Sequence, residues 1–103
     1  MDRICLDTVR AAMLGLAVGD ALGVPVEFMD REALCQNPVT GMRAFGAHGQ
    51  RAGTWSDDTS MALCLLESLT GGVDYTDMMG RFLRWAEEGY MTAHGEVFDM
   101  GIA

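Results

Sequence analysis

Gly53–Gly72 reads GTWSDDTSMALCLLESLTGG, and the spacing of its apolar residues decides the fold class. Met61, Leu65 and Leu69 recur every four residues, with Ala62 and Leu66 beside them. That period predicts a helix from near Ser56 to about Leu69 with this stripe in the core. Gly71 and Gly72 stop it. Ser56 is placed as the N-cap, where its hydroxyl accepts a backbone N–H. Asp57 and Asp58 then fall in the first turn, where carboxylates complement the helix dipole by about 0.3–1 kcal/mol each.

Capping and dipole chemistry are one account of two adjacent carboxylates; metal binding is the other. Asp58 precedes Met61, Ala62 and Leu65 at helical spacing, so its side chain is expected to lean towards the buried face. An ionised carboxylate taken from water needs a compensating charge, and no cationic residue is near in sequence. A bound hard cation would supply it. Ser56, Asp57 and Asp58 offer only oxygen, which suits Mg²⁺, Mn²⁺ or Ca²⁺ rather than zinc. Three oxygens do not fill a six-coordinate shell, so the other ligands must come from elsewhere in the protein or from water.

The rest of the chain also reads as helices and loops. Around LDTVRAAMLGLAVGDALGVPVEF, Asp7 or Thr8 is a plausible N-cap, and Val9, Met13, Leu16 and Asp20 share one face. Gly15, Gly19 and Gly23 repeat on a neighbouring stripe. Each interior Gly costs about 1 kcal/mol relative to Ala, which points to a smooth groove where another backbone packs. Asp20 is expected to make a buried hydrogen bond or to contact a site ligand from behind. Pro25 ends this helix and pushes Val24 towards extended geometry. DREALCQ reads as a short helix, and Gly41 to Gly53 as a long Gly-rich loop, of a length that is often functional. Thr76 looks like the N-cap of a helix reaching about Glu88, with Met78, Phe82, Trp85 and Ala86 on its apolar face. The final stretch begins as a loop and is expected to enter a further helix at Phe98 or Asp99. It stops there without a cap or terminator, which reads as one incomplete domain over residues 1–103. No strand shows alternation, so the fold class is all-α.

Composition narrows the function classes. The 103-residue chain is 50% hydrophobic and carries a formal net charge of −8. All seven basic residues are Arg, and they form no stripe, which argues against nucleic acid as a partner. Cys5, Cys35 and Cys64 form neither a CxxC pair nor an even disulfide set; Cys64 reads as a small core residue, and the compartment as reducing and cytoplasmic. No signal peptide is evident. No uninterrupted run approaches the roughly 18–20 apolar residues of a membrane span. His48 and His94 lie in Gly-containing loops with no carboxylate or second His at ligand spacing, so solvent-exposed or loop-satisfying roles are expected. Trp55 reads as core, and Tyr90 as a ring that could stack on a base.

MLGLAVGDALGVPVEF (Met13–Phe28), GTWSDDTSMALCLLESL (Gly53–Leu69) and GEVFDMG (Gly95–Gly101) together resemble, in order, three segments of the ADP-ribosylglycohydrolase family. The resemblance covers nearly the whole chain. It implies a larger all-α multi-helix fold of which this is the N-terminal part, with the Gly-rich loop before the metal-ligand helix. It implies a binuclear Mg²⁺ or Mn²⁺ site and hydrolysis of the bond linking ADP-ribose to a protein side chain, or to a small ADP-ribose derivative. Carried over by position, Ser56, Asp57 and Asp58 are metal ligands; the family often has Thr where Ser56 stands. Glu27 and Asp99 match catalytic carboxylates, Glu27 beside the water and Asp99 towards the substrate. The family's second acidic motif, of the DTD type, has no counterpart here. The remaining ligands are therefore expected from a C-terminal segment, and this segment alone is expected to bind metal poorly and catalyse little. Two rival roles stand beside the hydrolase: a non-catalytic binding or structural relative, and a helical interaction module.

Overall fold

The computed structural model describes residues 3–101. It holds four α-helices: α1 (Arg3–Gly23), α2 (Arg31–Gln36), α3 (Asp57–Leu69) and α4 (Tyr75–Glu88). Among the described residues there is no strand, only an isolated antiparallel bridge between Phe45 and Gln50. The all-α expectation holds. The chain divides into two compact units between Thr54 and Trp55.

In the first unit α1 is already helical at Arg3, so Asp7 and Thr8 are interior residues and not its cap. At the other end Val24 does not become extended. The chain tightens into a 3-10 turn, Val24–Val26, with Pro25 at its start, where a missing N–H costs nothing. Extended backbone returns only at Glu27, with φ −56° and ψ 142°. Ala21 and Val24 are the buried anchors of this end. The expected backbone groove is not filled: a Cβ placed on Gly15, Gly19 or Gly23 would meet no described atom within 4 Å. By length and composition Cys5–Val26 is apolar enough to cross a membrane, at mean hydropathy 1.5, which corrects the expectation of no such segment. That expectation counted uninterrupted apolar residues, whereas the average tolerates the few charges and glycines of α1. A core helix of a soluble protein passes the same test. α2 forms as expected, with the Asp30 side chain accepting from the Ala33 N–H at 2.8 Å.

The second unit is built on α3 packed against α4. α3 begins and ends where the sequence predicts, but its buried line is different. Leu65 and Leu69 are 39% and 43% exposed, while Ser60, Cys64 and Ser68 are buried. Small side chains let α4 and the following loop come close, and each polar atom finds an acceptor. Ser60 Oγ donates to the Met91 carbonyl at 3.0 Å, Cys64 Sγ to the Arg81 carbonyl at 3.7 Å, and Ser68 Oγ to Asp77 Oδ2 at 2.5 Å. A buried hydroxyl that keeps a partner avoids most of its desolvation cost. An apolar stripe is therefore a poor guide to this interface.

Cys64 is fully enclosed, and burial first, then the Glu67 charge, pushes its thiol pKa up. Native protein should therefore react with a thiol reagent at the exposed Cys5 and Cys35 and at Cys64 only after unfolding. Rapid native labelling of Cys64, located by peptide mapping, would contradict this packing.

α4 is capped by Asp74, whose side chain accepts from the Asp77 N–H at 3.1 Å, rather than by Thr76. Its inward face is the expected one: Trp85 is buried and Met78, Phe82 and Ala86 are half-buried. Gly89 ends it at φ 73°, and a Cβ there would run into the Gly95 carbonyl. Only glycine fits both demands. Beyond it, the described residues through Gly101 form no helix at Phe98 or Asp99. The chain turns locally there, Asp99 Oδ1 accepting from the Gly101 N–H at 2.9 Å.

Charged groups pin α3 to α4. Arg81 bonds Asp77 through Nε at 2.8 Å and Glu67 through Nη1. Glu67 also accepts from the Tyr90 hydroxyl at 2.5 Å. The Arg84 guanidinium lies 3.9 Å from the centre of the Tyr90 ring, so this tyrosine is already engaged within the fold. Arg81 first, then Ser68, holds the Asp77 carboxyl below its ordinary range. A carboxyl with a folded pKa below its unfolded one contributes stability above the unfolded value and loses it as pH falls through the folded value. Asp77→Asn should therefore flatten the fall in melting temperature below about pH 4. An unchanged acid limb in the variant would contradict the assignment.

Candidate functional site

The second unit brings Ser56, Asp57 and Asp99 to one place. Ser56 is extended, and its Oγ accepts from the Asp58 N–H at 3.3 Å. Ser56 is buried, Asp57 half-buried and Asp58 exposed. The expectation that Asp58 leans inward is thus corrected. The buried line of α3 runs through Ser56, Ser60, Cys64 and Ser68, and at 3.6 residues per turn Asp58 stands about 200° away from Ser56.

Ser56, Asp57, Trp85, Glu96 and Asp99 line a small cavity of about 10 Å³, room for about one water. The 96–101 loop reaches the start of α3: a Cβ on Gly101 would lie 3.5 Å from Asp57 Oδ2. Earlier in the chain, the Met91 carbonyl accepts from Trp55 Nε1 at 3.1 Å as well as from Ser60 Oγ. Trp55 is half-buried, tied to Met91 by this hydrogen bond rather than enclosed in the core as expected.

The donors fit a hard divalent cation in kind. They are all oxygen, two are adjacent carboxylates, and they stand at a helix start beside a cavity that carries two more acids. They do not enclose one. Within the second unit no three described Asp, Glu, His or Cys ligand atoms lie within 4.8 Å of one another. A cation held by Ser56, Asp57 and Asp58 would need further ligands to complete its shell.

Glu27 belongs to the first unit, just after the Val24–Val26 turn. Its Oε2 lies 3.0 Å from His48 Nε2, with the His48 side chain only 12% exposed and that of Glu27 39% exposed. His48 sits in a second 3-10 turn, Gly46–His48. The ring of Phe28 is 5.9 Å from the His48 ring, tilted by 52°. Sequence reasoning missed this pair because it searched for carboxylates at local spacing, and Glu27 lies 21 residues away. The usable signal was the Gly-rich loop itself, whose glycines permit the fold-back. Asp20 is half-buried near the end of α1, and His94 is exposed.

Comparison with known proteins identifies the family. The ADP-ribosylglycohydrolase family model matches residues 1–103. An ADP-ribosylarginine hydrolase, Tri1, of Serratia proteamaculans is 41% identical over 98 residues, covering 93% of this chain and 26% of that protein. The Tri1 of Pseudomonas putida is 40% identical over 100 residues, 95% of this chain and 26% of that protein. An ADP-ribosyl-[dinitrogen reductase] glycohydrolase of Rhodospirillum rubrum is 40% identical over 83 residues, 77% of this chain and 28% of that protein. The chain spans about a quarter of the length of the curated relatives it matches.

Proposed function

The chain belongs to the ADP-ribosylglycohydrolase family, and from that premise we propose that the complete gene product hydrolyses the bond between ADP-ribose and a modified protein side chain, arginine above all. The observation that carries this is the pairing of Ser56 and Asp57 with Asp99 around one cavity at the start of α3. The choice of arginine is supported by the relatives named as ADP-ribosylarginine hydrolases. A small ADP-ribose derivative is the other substrate class that this chemistry admits.

In the proposed reaction a water oxygen bonds to the anomeric carbon of the ribose as the carbon–nitrogen bond to the guanidine breaks. The electron pair leaves on nitrogen, which gains a proton; the products are ADP-ribose and unmodified arginine. Ser56, Asp57 and Asp58 would hold the cations together with ligands from outside these residues. Two Mg²⁺ or Mn²⁺ ions, when bound, supply charge that orients ribose hydroxyls and water. Positive charge develops on the ribose as the bond lengthens, as in other glycoside cleavages, and the Asp99 carboxylate offsets it. Glu27 takes the proton of the water. On this reading residues 1–103 are part of one larger domain.

The test is release of ADP-ribose from an ADP-ribosylarginine protein by the complete gene product with Mg²⁺ or Mn²⁺, beside calorimetric titration with ADP-ribose. Turnover is expected. Tight binding of ADP-ribose with no turnover on any linkage would overturn the hydrolase in favour of a binding protein.

A further inference from the structure

We propose that His48 is a positioning residue that acts through Glu27, fixing one carboxylate oxygen so that the other is presented for proton transfer. The proposal rests on the reading of Glu27 as the group that takes the water's proton. Its own support is the architecture around the pair. His48 Nε2–H donates to Glu27 Oε2 at 3.0 Å from a ring that is almost enclosed, while the carboxylate stays partly open.

Several features, all in the first unit, serve that contact. The Gly46–His48 turn is seated on the Val24–Val26 turn so closely that a Cβ on Gly46, at φ 59°, would strike the Pro25 carbonyl. The loop carrying His48 is closed by both backbone bonds between Phe45 and Gln50. Gln50 Nε2 also donates to the His48 carbonyl at 3.3 Å. Phe28 lays its ring beside the imidazole.

Two of these residues are strained. Phe28 has φ 70° and Phe45 has φ 64°, left-handed conformations that bulky residues rarely adopt. One directly follows Glu27 and the other opens the turn that carries His48. A partly exposed carboxylate–imidazole pair contributes little to stability. Stability therefore does not account for strained backbone on both sides of it, and strain of this kind collects where geometry is functional. A glutamate has several rotatable bonds, and a misplacement of about 1 Å at a reacting group can cost about 100-fold in rate. A second fixed oxygen removes that freedom.

The experiment uses the complete gene product acting on an ADP-ribosylarginine protein, with thermal melts to confirm folding. His48→Phe should lower kcat by about 10–100-fold, the range for losing a group that orients a catalytic one, and leave KM within about twofold. His48→Gln keeps an N–H donor and should recover most of the rate. In a Glu27→Gln background His48→Phe should cost nothing further, because the two act as one unit. A full rate in His48→Phe, an undiminished second loss in the Glu27→Gln background, or no recovery with His48→Gln would each overturn the proposal. Full rate in Glu27→Gln would remove the role on which it rests. Full rate in the Asp57→Asn, Asp58→Asn double variant, alongside the expected His48 pattern, would overturn the metal assignment and leave the role of His48 standing.

Discussion

The complete gene product with Asp57→Asn and Asp58→Asn should lose at least about 100-fold in kcat, because outer residues that merely orient metal ligands already cost about 10–100-fold. The same variant should lose any rise in melting temperature produced by Mn²⁺ or Mg²⁺, since a ligand that binds only the folded state raises stability by mass action. The two readouts belong together. Ser56 would still cap α3 through the Asp58 N–H, so the fold should survive and the loss should be chemical. Asp57→Asn alone should be the more damaging single change, because Asp57 borders the cavity while the Asp58 side chain is exposed. If the double variant turned over at the wild-type rate, or melted with an undiminished response to Mn²⁺ and Mg²⁺, the carboxylates would be capping residues only. Their first-turn positions would then be accounted for by the helix dipole.

Trp85→Ala should be the most destabilising single change in the second unit, at about 3–5 kcal/mol for an aromatic truncated in a core. Trp85 is only 5% exposed and reaches from α4 to the cavity that Asp57 and Asp99 border. Its loss would open space under both the helix pair and the 96–101 loop. Whole domains are stable by only about 5–15 kcal/mol, so this one change should remove a large share of the protein's stability. Trp85→Phe, which leaves a smaller hole, should cost less. Denaturant titration of both variants checks the order. A Trp85→Ala protein as stable as wild type would mean that the ring is not a core element.

The sequence was a good guide where physics is local. Ser56 as a cap, the span of α3, the short α2 and the face of α4 with Trp85 all follow from periodicity and cap chemistry, which act within a turn or two. The family resemblance rested on three segments in order, and the family match over residues 1–103 bears it out. Errors came where a distant partner decides. Leu65 and Leu69 looked like core, yet the serines and Cys64 are inside because the neighbouring backbone supplies acceptors. Asp58 was expected inward and points out. Thr76 lost the cap to Asp74 because both are good capping residues, and only the path of the chain into α4 chooses between them.

The sequence by itself determined that this is a helical member of its family, and that Ser56, Asp57 and Asp58, side chains whose polar atoms are all oxygen, sit at a helix start. These depend on residue type and near-neighbour spacing. Only the tertiary structure decided which of those oxygens borders a cavity, that Asp99 joins it, and that Glu27 is held by a histidine 21 residues away. Such contacts depend on how loops close and which backbones approach, and pairings between residues so far apart leave no period in the sequence to read.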